Sequence, residues 1–246
     1  MPHPTIPYVL AAPGYIAGGG DWQHLTELLH RGHGWKDIST VDTHTVLAGP
    51  DGSLQVSLDR RTWKWSLHAA PAGGRHWSAV LGAHIPVEYI TDLVVAMQEP
   101  GPRRAPAVLG PLHAAGWATD PAASAATAVS PDGLVRITGE PGPSPWYAVC
   151  AVGDFTWWTA SFSPRTPPAV VTAFTRRLAD DNPLPRMAIG VPMYGCERHT
   201  RLTRTPYTTD QERADLEARI AEARDRRRTP RPLPPARPHH HPSRTR

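Results

Sequence analysis

The chain has 246 residues, enough for one large domain or two small ones whose cores need no metal or disulfide, and its two cysteines, Cys150 and Cys196, exclude a disulfide framework. No signal-peptide pattern opens the chain and no apolar run is long enough to span a bilayer, so the reading is a cytoplasmic protein with no membrane association. Seven of the 26 Lys/Arg residues fall in the last 21 positions, where there is no acid; residues 1–225 therefore hold 19 bases against 22 acids, which argues against a basic groove on the folded body.

In chain order, the first expected element is a helix over 21–30, with Asp21 as N-cap and Trp22, Leu25, Leu28 and Leu29 along one side. Strands are expected at 43–48 and 53–58, flanking the turn Gly49-Pro50-Asp51-Gly52, then at 63–69 and 77–81. Leu54, Val56 and Leu58 alternate with polar residues, which gives that strand one buried face. A helix over 86–98 carries Ile90, Leu93, Val94 and Met97 as its apolar stripe. Residues 100–106, rich in Pro and Arg, read as a linker.

The pattern then recurs: a weaker helix at 107–115, strands at 127–129 and 134–138 around Ser130-Pro131-Asp132-Gly133, and further strands at 146–152 and 157–162. The closing helix, to residue 179, has Thr166 as expected cap and Pro167 at its first position, with Val170, Val171, Phe174 and Leu178 apolar. Pro50-Asp51-Gly52 and Pro131-Asp132-Gly133, Trp65 and Trp146, Trp77 and Trp158, and Pro86 and Pro167 are all 81 positions apart. Gly34-Trp35 and Gly116-Trp117 follow at 82. The expected fold class is α+β: a tandem duplication over 8–99 and 107–181, each unit a four-stranded antiparallel sheet with two flanking helices. The pair is expected to form a pseudo-two-fold arrangement with the sheets joined edge to edge.

Residues 182–208 read as irregular. A helix is expected over 209–228, with a capping box at Thr209-x-x-Glu212, ion pairs Asp215/Arg219 and Glu222/Arg226, and Leu216 and Ile220 as anchors. The Arg/Pro-rich stretch 229–246 reads as a disordered tail.

Tyr15-Ile16-Ala17-Gly18-Gly19-Gly20-Asp21, Gly34-Trp35, the two Pro-Asp-Gly turns and the run Trp157-Trp158-Thr159-Ala160-Ser161-Phe162-Ser163 to Thr166-Pro167 resemble an actinobacterial domain-of-unknown-function family, number 317. The resemblance covers about residues 8–182 and implies tandem copies of the unit, with no established activity. The first copy departs from the pattern at Ile85, where the second has Thr166.

Trp65, Trp77, Trp146, Leu93 and Phe174 are assigned to the core of the repeats. Trp63, Trp157 and Trp158 are the candidate partner-binding residues, because adjacent strand residues point to opposite faces and one indole of the Trp157-Trp158 pair should leave the helix-covered side. Arg226, Arg227, Arg228 and Arg231 are the candidate nucleic-acid contacts. Gly18-Gly19-Gly20 before a helix lacks the Lys and Ser/Thr of a phosphate loop, and His24, His30 and His33 lack the spacing of a metal site. No catalytic residue, metal or cofactor is assigned. The expected function is a non-catalytic tandem module that binds another protein, with accessory nucleic-acid binding through the tail as the alternative and an enzyme with an unfamiliar site as a third reading.

Overall fold

A computed structural model describes residues 7–70, 74–98, 107–119, 125–140, 144–189, 191 and 195–228; the expected linker and tail, Arg231 included, lie outside the described residues. Strand β1 (Tyr8–Ala12) leads through a 3-10 turn to helix α1 (Trp22–Glu27), which continues as a π-helical turn over Leu28–Gly32. Asp21 caps α1, its carboxylate accepting the Gln23 N–H at 2.8 Å. The meander β2 (Lys36–Asp37), β3 (His44–Ala48), β4 (Leu54–Asp59), β5 (Lys64–Ala69) and β6 (Trp77–Leu81) follows and is closed by α2 (Val87–Gln98). The second half keeps this order: α3 (Gly110–Ala114), β7 (Ala118–Thr119), β8 (Ala126–Val129), β9 (Val135–Gly139), β10 (Trp146–Val152), β11 (Phe155–Phe162) and α4 (Pro168–Leu178).

The sheet is larger than the expected four-stranded unit. Each half brings five strands, and the ten form one sheet in the order β2-β3-β4-β5-β6-β11-β10-β9-β8-β7. The two-residue strands β2 and β7 carry too little pattern to be read from sequence, and they leave the outer edges short, which is one way a sheet avoids templating a stranger. Pairing β6 with β11 saturates what would otherwise be the two long inner edges.

The register is the same in both halves. Leu58 faces Trp65 and Gly139 faces Trp146; Trp65 faces Leu81 and Trp146 faces Phe162; each residue of the second set lies 81 positions after its counterpart. The β6–β11 joint pairs Ala79 with Phe162, Val80 with Ser161 and Leu81 with Ala160, a set that the same offset maps onto itself. Paired loop bonds obey it too: Gly82 N–H donates to the Thr159 carbonyl and Ser163 N–H to the Ser78 carbonyl, at 2.7 and 2.8 Å. Gly52 and Gly133 end their turns at φ of 73° and 74°, a left-handed backbone that glycine adopts without strain.

Helices α2 and α4 pack together on one face of the sheet, where Leu93, Val94, Val171 and Phe174 are fully buried and the Tyr89 and Phe174 rings meet edge to face at 6.0 Å. Trp65 and Trp77 lie in the same core, while Trp146 is half-buried, its ring lying over the Cα of Gly139. The expected cap of α4 is corrected. Thr166 Oγ1 turns away to the Ser78 carbonyl at 3.3 Å, and Pro167 holds the cap position, its carbonyl accepting from Val170 and Val171.

Segment 182–208, expected to be irregular, supplies β12 (Leu184–Met187) and β13 (Arg201–Arg204), which flank β1 in a second sheet of order β12-β1-β13. A four-residue strand holding a proline and another with two arginines offer no alternation to read. Helix α5 (Thr209–Arg228) has the expected bounds, but the reciprocal cap joins Thr208 and Gln211, one residue earlier than expected. Leu216, Ile220 and Ala223 pack on Leu28 in a small cluster separate from the main core.

Candidate functional site

With α2 and α4 packed on one side, the other face of the ten-stranded sheet is lined by alternate residues of its strands. Along one row of register partners it presents Ser57, Ser66, Val80, Ser161, Tyr147 and Thr138, with Val80 and Tyr147 exposed by 41% and 53%. Small hydroxyls and two large side chains, Val80 and Tyr147, on a hydrogen-bonded sheet give broad contact area at low entropic cost. Val80 and Ser161 are the central pair of the β6–β11 joint.

The three candidate tryptophans fall in different places. Trp63 is 46% exposed, in the turn before β5, where its φ of 55° is a left-handed conformation uncommon for a bulky residue. Trp158 is 2% exposed; it packs edge to face on Phe174 and donates its indole N–H to the Tyr15 carbonyl at 2.7 Å. Trp157 is 8% exposed, because the ladder shifts between Cys150 and Ala151 and leaves Trp157 as the extra residue of a β-bulge. A bulge suspends the alternation on which the two-face expectation rests. Trp157 meets His84 at 5.0 Å and Phe155 at 5.2 Å, both edge to face, and its indole lies against Cys196. Burial lowers the pKa of His84 and raises the Cys196 thiol to about 11.

At the corresponding corner of the first half the structure is open. A cleft of about 700 Å³ lies over the ends of β4, β5 and β6, lined by Ser53, Gln55, His68, Arg75, His76 and Arg165 among others. Asp51, beside it, spends its carboxylate on Ser53, accepting from the backbone N–H at 3.0 Å and from Oγ at 2.8 Å, which lowers its pKa.

A second cleft of about 620 Å³ lies between the Gly18–Gly20 loop, β12 and α5. Its polar groups largely satisfy one another. His24 lies 3.5 Å from Asp21 and 3.4 Å from Glu212, Tyr8 donates to Glu212, and Tyr207 donates to Asp215 at 2.7 Å. Arg186, nearly buried, sits beneath the glycine loop: it binds Glu88 bidentately at 2.7 and 2.9 Å and donates to the carbonyls of Ala17 and Gly18. Gly20 suits this contact, since its φ of 74° favours glycine and an added Cβ would crowd the Arg186 guanidinium at 3.2 Å. Nothing in the sequence around Arg186 signals this role. His30 bonds the Trp35 carbonyl, and among the described residues no three His, Cys, Asp or Glu side chains are placed to hold a metal.

Of the candidate nucleic-acid contacts, Arg226, Arg227 and Arg228 form the exposed C-terminal turn of α5, Arg226 paired to Glu222 at 2.6 Å and Arg227 reaching the Gly32 carbonyl at 3.4 Å. Among the described residues, no helix is long and apolar enough to cross a membrane.

Residues 129–184 match the family model SPDY, a domain of unknown function (DUF317). No curated protein and no solved structure matches the chain. The SPDY match runs from the end of β8 through β9, β10, β11 and α4 to the first residue of β12, so it contains Asp132, Trp146, the Trp157 bulge and Phe174. The Tyr15–Asp21 run and Gly34-Trp35, which also carry the resemblance read from sequence, lie outside the SPDY match.

Proposed function

We propose that the chain is a tandem pair of one α+β unit acting in the cytoplasm as a non-catalytic protein-binding module, its docking surface the uncovered face of the ten-stranded sheet. The carrying observation is the row Ser57, Ser66, Val80, Ser161, Tyr147 and Thr138, which crosses the joint between the halves and exposes Val80 and Tyr147. An enclosed single-unit site would not need both halves; a continuous sheet face spanning them does. The identical register of the halves supports the duplication, and the buried, unbonded Cys150 and Cys196 are in keeping with a reducing compartment.

The test is affinity capture from native lysate with nuclease and moderate salt. A partner should be retained by the wild type and lost by folded Val80→Asp and Tyr147→Asp variants; capture that ignores both substitutions rejects this surface. A second reading, nucleic-acid binding through Arg226, Arg227, Arg228 and Arg231, is favoured by the exposed arginines at the end of α5. It predicts salt-sensitive retention on DNA or RNA that removal of residues 226–246 abolishes, and retention by the shortened chain would reject it.

A further inference from the structure

The two pseudo-equivalent corners of the sheet differ in one respect. In the second half, Trp157 fills the corner against His84, with Phe155 beside it. The offset of 81 aligns His76 with Trp157 and His84 with Arg165 in sequence. Both His76 and Arg165 line the cleft of about 700 Å³, so the sequence positions that hold an indole and its cover at the second corner hold an imidazole and a guanidinium at the first. His68, Arg75, His76 and Arg165 are exposed, and among the described residues that line the cleft there is no Asp or Glu. On a body with more acids than bases, this is a local cationic hollow.

We infer that this corner takes an acidic peptide segment carrying an aromatic side chain, the ring entering where Trp157 sits in the other half and the carboxylates meeting Arg165 and Arg75. The chain carries its own example of such an occupant, Asp154-Phe155-Thr156-Trp157, at the opposite corner. A planar guanidinium offers both bidentate pairing to a carboxylate and a face for stacking on a ring. This inference rests on the protein-binding reading and names the partner chemistry that one end of the docking face selects.

The probe is a fluorescein-labelled peptide, Asp-Asp-Phe-Thr-Trp, titrated with the full chain and read by polarisation. Binding is expected to weaken about tenfold or more in Arg165→Glu. It should be abolished in His76→Trp, which restores to the first half the side chain that seals the second. Arg176→Glu, an identical charge change at an exposed position of α4, should leave it intact. Lys-Lys-Phe-Thr-Trp and Asp-Asp-Ala-Thr-Ala should not bind; equal binding of the ring-free peptide, or full competition by acetate, shows a free-anion site only and overturns the inference. Thermal melting of each variant separates lost binding from lost folding, and the exposed Arg165 keeps the test valid if the larger residue at 76 is not tolerated. Absence of peptide binding, or binding that ignores Arg165→Glu in a folded protein, overturns the peptide site. The docking face as a whole fails separately, if capture ignores Val80→Asp and Tyr147→Asp.

Discussion

Two aspartates that look alike in sequence do different work. Asp51 satisfies its own turn through Ser53, whereas Asp132 accepts from Ser130 Oγ at 2.6 Å and from Tyr15 Oη at 2.6 Å, stitching the N-terminal segment to the second half. Desolvation and this bond raise the pKa of Tyr15, so the phenol stays a donor. Asp132→Asn should therefore cost about 1–2 kcal/mol of unfolding free energy, and Asp51→Asn about half as much or less. Urea midpoints compare them directly; equal losses would mean the Tyr15 bond contributes nothing. A second asymmetry is Gly139, where an added Cβ would lie 2.3 Å from the Trp146 ring, while its counterpart Leu58 has room. Gly139→Ala should displace that indole and destabilise by about 1–3 kcal/mol, seen as loss of near-ultraviolet dichroism as well as a lower midpoint. The pairing partners of both residues followed from the repeat, but the environment of each did not, because the offset conserves backbone register and not side-chain size.

At the scale of elements, α5 was legible to the residue and its attachment was not. Its charges balance along the helix and its only large apolar anchors are Leu216 and Ile220, so nothing in the pattern says which surface receives it. The structure docks it on the π-helical turn after α1 through Leu28, with Arg31 gripping Glu217 at 2.7 Å by both nitrogens and Arg224 reaching the Arg31 carbonyl. Because this cluster is detached from the main core, Ile220→Ala should release α5 without loosening the sheet. Hydrogen exchange should show protection lost over 209–228 and kept in β4–β6 and β9–β11; global loss would contradict the separation. His33 lies under the same helix, its pKa lowered from the usual 6.5 by burial and then by Arg226, Arg227 and Arg219, while a side-chain bond with Gln98 acts the other way. The unfolded state therefore takes up this proton first as pH falls. The stability that neutral His33 contributes is complete above about pH 6.5 and is lost progressively below it. Protection of α5, corrected for intrinsic exchange, should fall as pH drops below about 6.5, and His33→Gln should flatten that dependence. An unchanged slope in the variant would assign it to another group, His84 being lowered by burial as well.

For the whole molecule, rare residues in repeat register were enough to anticipate that the sheets join edge to edge, since two equal meanders leave two equal edges. The second sheet was not foreseeable. It ties β1 to β12 and β13, elements from opposite ends of the described chain, and such long-range pairing of short strands leaves no local trace. Its consequence is that the halves are held by three independent devices: the β6–β11 ladder, the α2–α4 packing around Leu93 and Phe174, and the clasp of β1 by the C-terminal strands. A protease site placed within 100–106 tests this. The nicked protein should elute as a single species at about micromolar concentration and unfold in one cooperative calorimetric transition, because each half alone would expose a sheet edge and the apolar stripe of its helix. Losing the covalent tether removes an effective concentration of roughly millimolar, so the midpoint should drop and become concentration-dependent without splitting in two. Separation of the fragments on nicking, or two well-resolved transitions in the intact chain, would show halves that fold independently, and a docking surface spanning their joint would then lack the rigidity it requires.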